Sequence, residues 1–200
     1  MNLKKLLLGY FIVIVLFLCS CAKKDIDNLK EGKLLFTAAD KPGKNESRND
    51  EFKKAVEYFK AELKNNQNSF EAQIYLADTY GRLLESDSSI IVLNKAIESN
   101  NKERAQLFIE RGIQHLNMKN YTGSTLDFEE ALKNDSKDNQ IYRLIVHSKL
   151  SQKYFINDNW SKFEQEDIAR IINEVYPADV NNRPSVDEFI YNIKMYPYRK

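Results

Sequence analysis

The chain has 200 residues, with 30 lysines and arginines against 29 aspartates and glutamates, for a formal net charge of +1. The first twenty residues hold two lysines and no acid, so charge beyond them is nearly balanced. That gives no electrostatic reason to expect nucleic acid or an anionic membrane surface as partner. Glycine and proline are scarce at 6 and 4, which favours helices over sheets, and the length suits one domain of ordinary size.

Lys4 and Lys5 open the chain, followed by fourteen largely apolar residues from Leu6 to Cys19. A helix of that length reaches about 21 Å at about 1.5 Å per residue, short of the roughly 30 Å hydrocarbon core. It matches the apolar region of a secretion signal. An uncleaved anchor running on through Ala22 is the alternative. A buried core helix is excluded, because no polar face is left for water. Leu18-Cys19-Ser20-Cys21 then resembles the lipobox of bacterial lipoproteins: an aliphatic residue, two small ones and the cysteine that takes the lipid. Cys19 is an unusual occupant of its slot. The resemblance implies a signal peptide over 1–20, cleavage before Cys21, diacylglycerol on its sulfur with fatty chains such as palmitate, and a lipidated tether over 21–30. Two or more acyl chains hold a protein stably on a membrane. The folded part would then carry no thiol, which excludes a disulfide framework, a cysteine nucleophile and a thiolate metal site.

The middle of the chain repeats. The segments "EFKKAVEYFKAELKNNQ", "DSSIIVLNKAIESNN" and "YTGSTLDFEEALKNDS" align Ala55, Ser89 and Ser124 as small residues, at spacings of 34 and 35. Phe59, Leu93 and Phe128 follow four positions on, and Glu62, Ala96 and Ala131 three after that. Ala77 and Gly112 correspond in the helices upstream. This pattern resembles the tetratricopeptide repeat, a helix-turn-helix unit of about 34 residues. In that family small residues stand at the eighth, twentieth and twenty-seventh places, where paired helices approach closely. Here Ala77 and Gly112 hold the eighth place, and Tyr121 the aromatic slot before the second helix. The closing proline is absent from every unit, Glu62 replaces a small residue, and "DKPGKNESRND" is inserted in the first unit. The expected fold is an all-α solenoid of about three to four units over 25–150, with helical caps and a tail over 151–200. A plain helical bundle is the alternative.

Asp50, Ser69 and Ser136 are expected helix N-caps, since their side chains can accept from unpaired helix amides. Ser161 with Glu164 and Ser185 with Glu188 fit the S-x-x-E capping box. They open two helices whose apolar stripes are Phe163, Ile168, Ile171, Ile172 and Val175, then Val186, Phe189, Ile190 and Ile193. Both are expected to cover the open end of the solenoid. Trp160 is placed as a hydrophobic staple. Tyr196 and Tyr198 flank Pro197 in a basic tail, expected to fold back or stay unstructured.

Chemistry is scarce. His115 and His147 are the only histidines and have no metal-ligand spacing; His115 falls where a buried aromatic is wanted. Phosphate-cradling glycine loops and the G-x-S-x-G elbow are absent. Glu129-Glu130 and Glu164/Glu166/Asp167 read as solvated helix faces before acid–base pairs. The expectation is no enzyme, no cofactor and no metal.

The resemblance points instead to the concave side lined by the first helix of each pair. Ile74, Asp78 and Arg82 form one stripe, Ile109, Ile113 and Asn117 the next, and Arg143 and His147 the last. The expected function is a lipid-anchored scaffold binding a protein or peptide segment in the bacterial envelope, with no nucleic acid. By resemblance to the sorting signals of Gram-negative lipoproteins, Ala22 rather than an aspartate after Cys21 implies the outer over the inner membrane. A lipoprotein capturing a small molecule or glycan for uptake is the alternative; paired carboxylates in a cleft would point to a hydrolase.

Overall fold

The computed structural model describes residues 27–43, 47–99, 104–134, 139–154, 165–177 and 183–195, with backbone alone at 139 and 191–195. Among the described residues there are nine helices and no strand. In chain order they are α1 (Asn28–Ala39), α2 (Arg48–Asn65), α3 (Phe70–Arg82), α4 (Ser86–Ser99), α5 (Arg104–Asn117), α6 (Tyr121–Asn134), α7 (Asn139–Tyr154), α8 (Gln165–Val175) and α9 (Val186–Met195). Each packs on the next, and the first helices of successive pairs also touch, α1 on α3 and α3 on α5. The described residues thus form a stack of helix-turn-helix pairs, the all-α solenoid expected from the repeat.

Local chemistry sets the boundaries. Asp27 caps α1, accepting from the Lys30 amide at 3.0 Å, and Ser69 caps α3, accepting from Ala72 at 3.4 Å. Ser185 accepts from the Glu188 amide at 3.1 Å at the start of α9. Asp50 is no cap. Helix α2 begins two residues earlier, at Arg48, and places Asp50 and Glu51 in its first turn, where acids favour the helix dipole. The insert of the first unit therefore ends in helix. Leu84 (φ 62) and Lys119 (φ 60) end the first helices of two successive pairs, each in the left-handed region at a cost of about 1 kcal/mol. Ser136, Ser161, Phe163 and Trp160 lie outside the described residues, as do the tail tyrosines.

Pairing rests on size complementarity. A Cβ added to Gly112 would stand 2.6 Å from the Phe128 ring, and one added to Gly32 would stand 2.6 Å from the Phe59 ring. Both rings are fully buried. Gly32 is thus the eighth-place residue of the first unit, hidden from sequence comparison because the insert separates it from its partner helix. In the second unit the corresponding residues are Ala77 and Leu93, one methyl larger against a smaller, unringed side chain, and both are fully buried. At the twentieth place Ser89 donates to the Ala77 carbonyl at 2.8 Å. Behind α6, Ile168, Ile171, Ile172 and Phe189 close over Tyr142, Val146, Leu150 and Tyr154 of α7. Tyr176 joins them, its ring 5.2 Å from that of Tyr142, and burial pushes its hydroxyl up to about 12.

A polar clamp ties three helices. Arg111 of α5 donates to both carboxylate oxygens of Asp127 on α6, at 2.9 and 2.6 Å, and to Asn94 of α4 at 2.7 Å. The Asp127 side chain is only 7% exposed. His115 is not the buried aromatic the repeat pattern calls for: it is partly exposed, 3.7 Å from Asp127 and 3.2 Å from Asn120. Burial lowers its pKa against the pull of Asp127, with Arg111 adding to the lowering.

Two stability outcomes follow. Gly112→Ala gains about 1 kcal/mol of helix propensity but loses more to the clash, for a net loss of about 1–2 kcal/mol. Adding Phe128→Leu should recover part of that loss, so that the double variant in urea unfolding is less destabilised than the sum of the singles. Arg111→Ala strands a buried carboxylate and should cost about 3 kcal/mol. Lys133→Ala, whose partner is the surface Glu130, should cost under about 0.5 kcal/mol by the same measurement.

Candidate binding face

The first helices α3, α5 and α7 carry the residues singled out for recognition. On α3, Ile74, Asp78 and Arg82 all remain partly exposed along one stripe. Ile74 packs against the central core with one side, as do Ile109 and Ile113 of α5. Asn117 is exposed at the end of α5, its amide 3.4 Å from Gln114 Oε1. On α7, Arg143 is exposed and His147 partly buried, 3.5 Å from Ser151 Oγ. The three isoleucines are therefore shared between core and surface, and the charged residues stand at the surface.

The charges form junctions between neighbouring first helices. At the α1–α3 junction Lys33 pairs with Glu71 at 3.0 Å. Arg82 spans the same junction lower down, reaching Asp40 at 2.6 Å and Asp78 at 3.1 Å, over the Phe36 ring. At the α3–α5 junction Glu110 lies near enough to Asp78 for one charge to bear on the other. Glu110 makes no hydrogen bond or ion pair among the described residues. Its carboxyl is pushed up to about 7, first by burial and then by the Asp78 carboxylate, against the opposing pull of Arg82. Glu110 was missed in the sequence stripe. The signal was there in its neighbour Ile109, but an i, i+4 stripe on one helix cannot show what the adjacent helix sets opposite it.

Other acids are engaged elsewhere. Glu129 pairs with Lys149 at 3.2 Å and Glu130 with Lys133 at 2.8 Å. Asp167 accepts from Lys153, from Tyr154 at 2.6 Å and from Arg170 at 3.4 Å, which ties α8 to α7. No group of three potential metal ligands occurs among the described residues, and no described helix is long and apolar enough to cross a membrane. Two surface depressions of about 390 and 400 Å³ are open to solvent. One runs from Leu84 to Ser88 with Asn117 and Met118, the other lies along α1 at Leu29, Lys33 and Leu34. Neither contains Asp78 or Glu110.

The two unusual groups of this face act on stability in opposite senses. Glu110 holds its proton to about pH 7 in the fold, so its contribution falls as pH rises from 4.5 to 7. Burial lowers His147 to about 4, so its contribution falls as pH drops from 6.5 to 4. In the native protein the two slopes offset each other. Glu110→Gln should leave a stability that climbs with pH across 4–6.5, and His147→Gln one that declines across 4.5–7, each by on the order of 2 kcal/mol. Urea midpoints measured at intervals of pH read both.

No protein-family model matches the chain, and no curated protein matches its sequence. Among solved structures, the chain is similar to the first TPR of Spaghetti (RPAP3) bound to the HSP90 peptide SRMEEVD. The identity is 12%, the match covers 62% of this chain and 94% of that one, and the TM-score is 0.49. It is also similar to MamA of AMB-1, at 14% identity over 76% of this chain and 91% of that one, with a TM-score of 0.46.

Proposed function

We propose that the protein is an interaction scaffold held at a bacterial membrane by a lipid on Cys21, and that the face shared by α1, α3, α5 and α7 grips a segment of another protein. One observation carries this reading. Along α3 and α5, which pack on each other, the side chains Ile74, Asp78, Arg82, Ile109 and Ile113 are neither fully buried nor fully exposed. Partly buried isoleucines beside fixed charges offer apolar contact with orientation, which is what recognition of a peptide requires. A stacked-helix frame supplies such a face without catalytic machinery. The lipid would confine the face to the membrane surface, where partners meet it at raised effective concentration. Outer-membrane placement is part of the same proposal and rests on Ala22. Both depressions among the described residues are open to solvent and offer a small molecule little enclosure, so capture of a solute is the weaker reading.

Two parallel measurements test it in cells. Cys21→Ala should lose metabolic labelling by fatty acid and move the protein out of the membrane fraction. A photo-cross-linking residue at position 113 should trap a protein partner, whereas one at the exposed Ile91 or Leu126 on the second helices should not. Cross-links confined to 91 or 126 would place binding on the other side of the solenoid.

A further inference from the structure

Helix α1, the first described helix of the stack, has a side that no other described helix covers. Its buried residues are Gly32, Phe36 and Ala39, and it packs on α2 and α3. Turned away from these, Lys30, Leu34 and Thr37 are exposed along one stripe, with Lys41 exposed just past the helix end. Leu34 is 57% exposed. Terminal repeats of a solenoid ordinarily present a polar outer face, and a large apolar side chain there is out of keeping. At the other end α8 and α9 close over α7. The open depression of about 400 Å³ follows the exposed side of α1, with Lys30, Leu34 and Thr37 in its lining.

The length of the chain ahead of α1 says what meets this side. Cys21 precedes Asn28, the first residue of the helix, by seven positions. At no more than roughly 3.6 Å per residue that connection reaches about 25 Å in any conformation. A lipid on Cys21 puts its sulfur at the bilayer surface and holds the start of α1 within that distance of the headgroups. The helix has 12 residues and is about 18 Å long, so it can lie along the surface. A short connection keeps the local concentration on the order of millimolar, where a weak contact is enough. Leu34 supplies apolar contact at the headgroup boundary. Lys30 and Lys41 flank it with aliphatic stems, their ammonium groups staying in water. Asp27 and Glu31 are exposed on the same helix and balance the two lysines, so the contact selects no anionic lipid.

We propose that the exposed side of α1, centred on Leu34, rests on the phospholipid surface that holds the anchor, and that this contact orients the solenoid with its first helix at the membrane. This rests on the reading that Cys21 is lipidated. The stripe shares no residue with Ile74, Asp78, Ile109 and Ile113, so membrane contact and partner binding can coexist.

Photo-cross-linking to lipid tests this in the full acylated protein, purified from cells and reconstituted into phosphatidylcholine vesicles. A cross-linking residue is placed at position 34, at 37 or at the exposed control position 126, and lipid adducts are counted by mass spectrometry. Adducts at 34 and 37 should exceed those at 126 several-fold. Leu34→Glu, first shown to be folded by circular dichroism and acylated at Cys21, should lower the yield at 37 several-fold. Equal yields at 34 and 126, or a yield at 37 that Leu34→Glu leaves unchanged, would overturn the proposal. So would cross-linking at 34 in cells that captures protein in place of lipid. Acylation of Cys21 separates the two readings. An acylated chain with no preference for 34 sinks the membrane seat and leaves the anchor standing, whereas a chain without acyl groups on Cys21 sinks both.

Discussion

The distance between paired helices is set where Gly32 meets Phe59 and Gly112 meets Phe128, and the rest of the molecule is arranged around that distance. With a hydrogen in place of a side chain on one helix, a full aromatic ring fits on the other, and the backbones close on it. The middle unit reaches the same end with Ala77 and Leu93. Because interiors pack at near-crystalline density, the residue at the eighth place and the one at the twenty-fourth must change together. Each hairpin so formed has one apolar side left over, which the next hairpin covers. The last such side, on α7, is covered by α8, α9 and the buried Tyr176.

Polar groups divide by location into those that hold the stack and those left for something else. Arg111 bridges α4, α5 and α6 through Asn94 and Asp127, and Ser148 of α7 donates to the Tyr121 carbonyl at 2.9 Å while pairing with Thr125 at 2.8 Å. These bonds are largely closed to water and complete. On the first-helix face Lys33 and Glu71 satisfy each other and Arg82 serves two acids, while Glu110 has no ion pair among the described residues.

That contrast gives the scaffold reading its content. A repeat frame alone names no ligand, since the same architecture can present many surfaces. Specificity must come from particular side chains, and on the proposed reading those are three isoleucines shared with the core and the charges beside them. The isoleucines cannot rearrange freely, because one side of each belongs to the packing of the solenoid. The face is therefore preorganised, which lowers the ordering cost of binding.

The order of helices, their pairing and most of their buried faces were legible from sequence, because spacing of small and bulky residues is a direct record of which helix surfaces touch. The caps Ser69 and Ser185 and the apolar stripe of Ile168, Ile171 and Ile172 could be read the same way, each being local to one helix. Asp50 was misread since an acid serves as well in a first turn as at a cap. His115 was misplaced since the repeat pattern cannot see the Arg111–Asp127 pair beside it. Gly32 and Glu110 needed the tertiary structure, for one physical reason. Their meaning lies in what stands opposite on another helix, Phe59 across an insert and Asp78 across a junction, and periodicity along one chain segment carries no information about that approach. Sequence determined which sides of the helices face inward; only the stacking of the helices decided which charges meet across a junction.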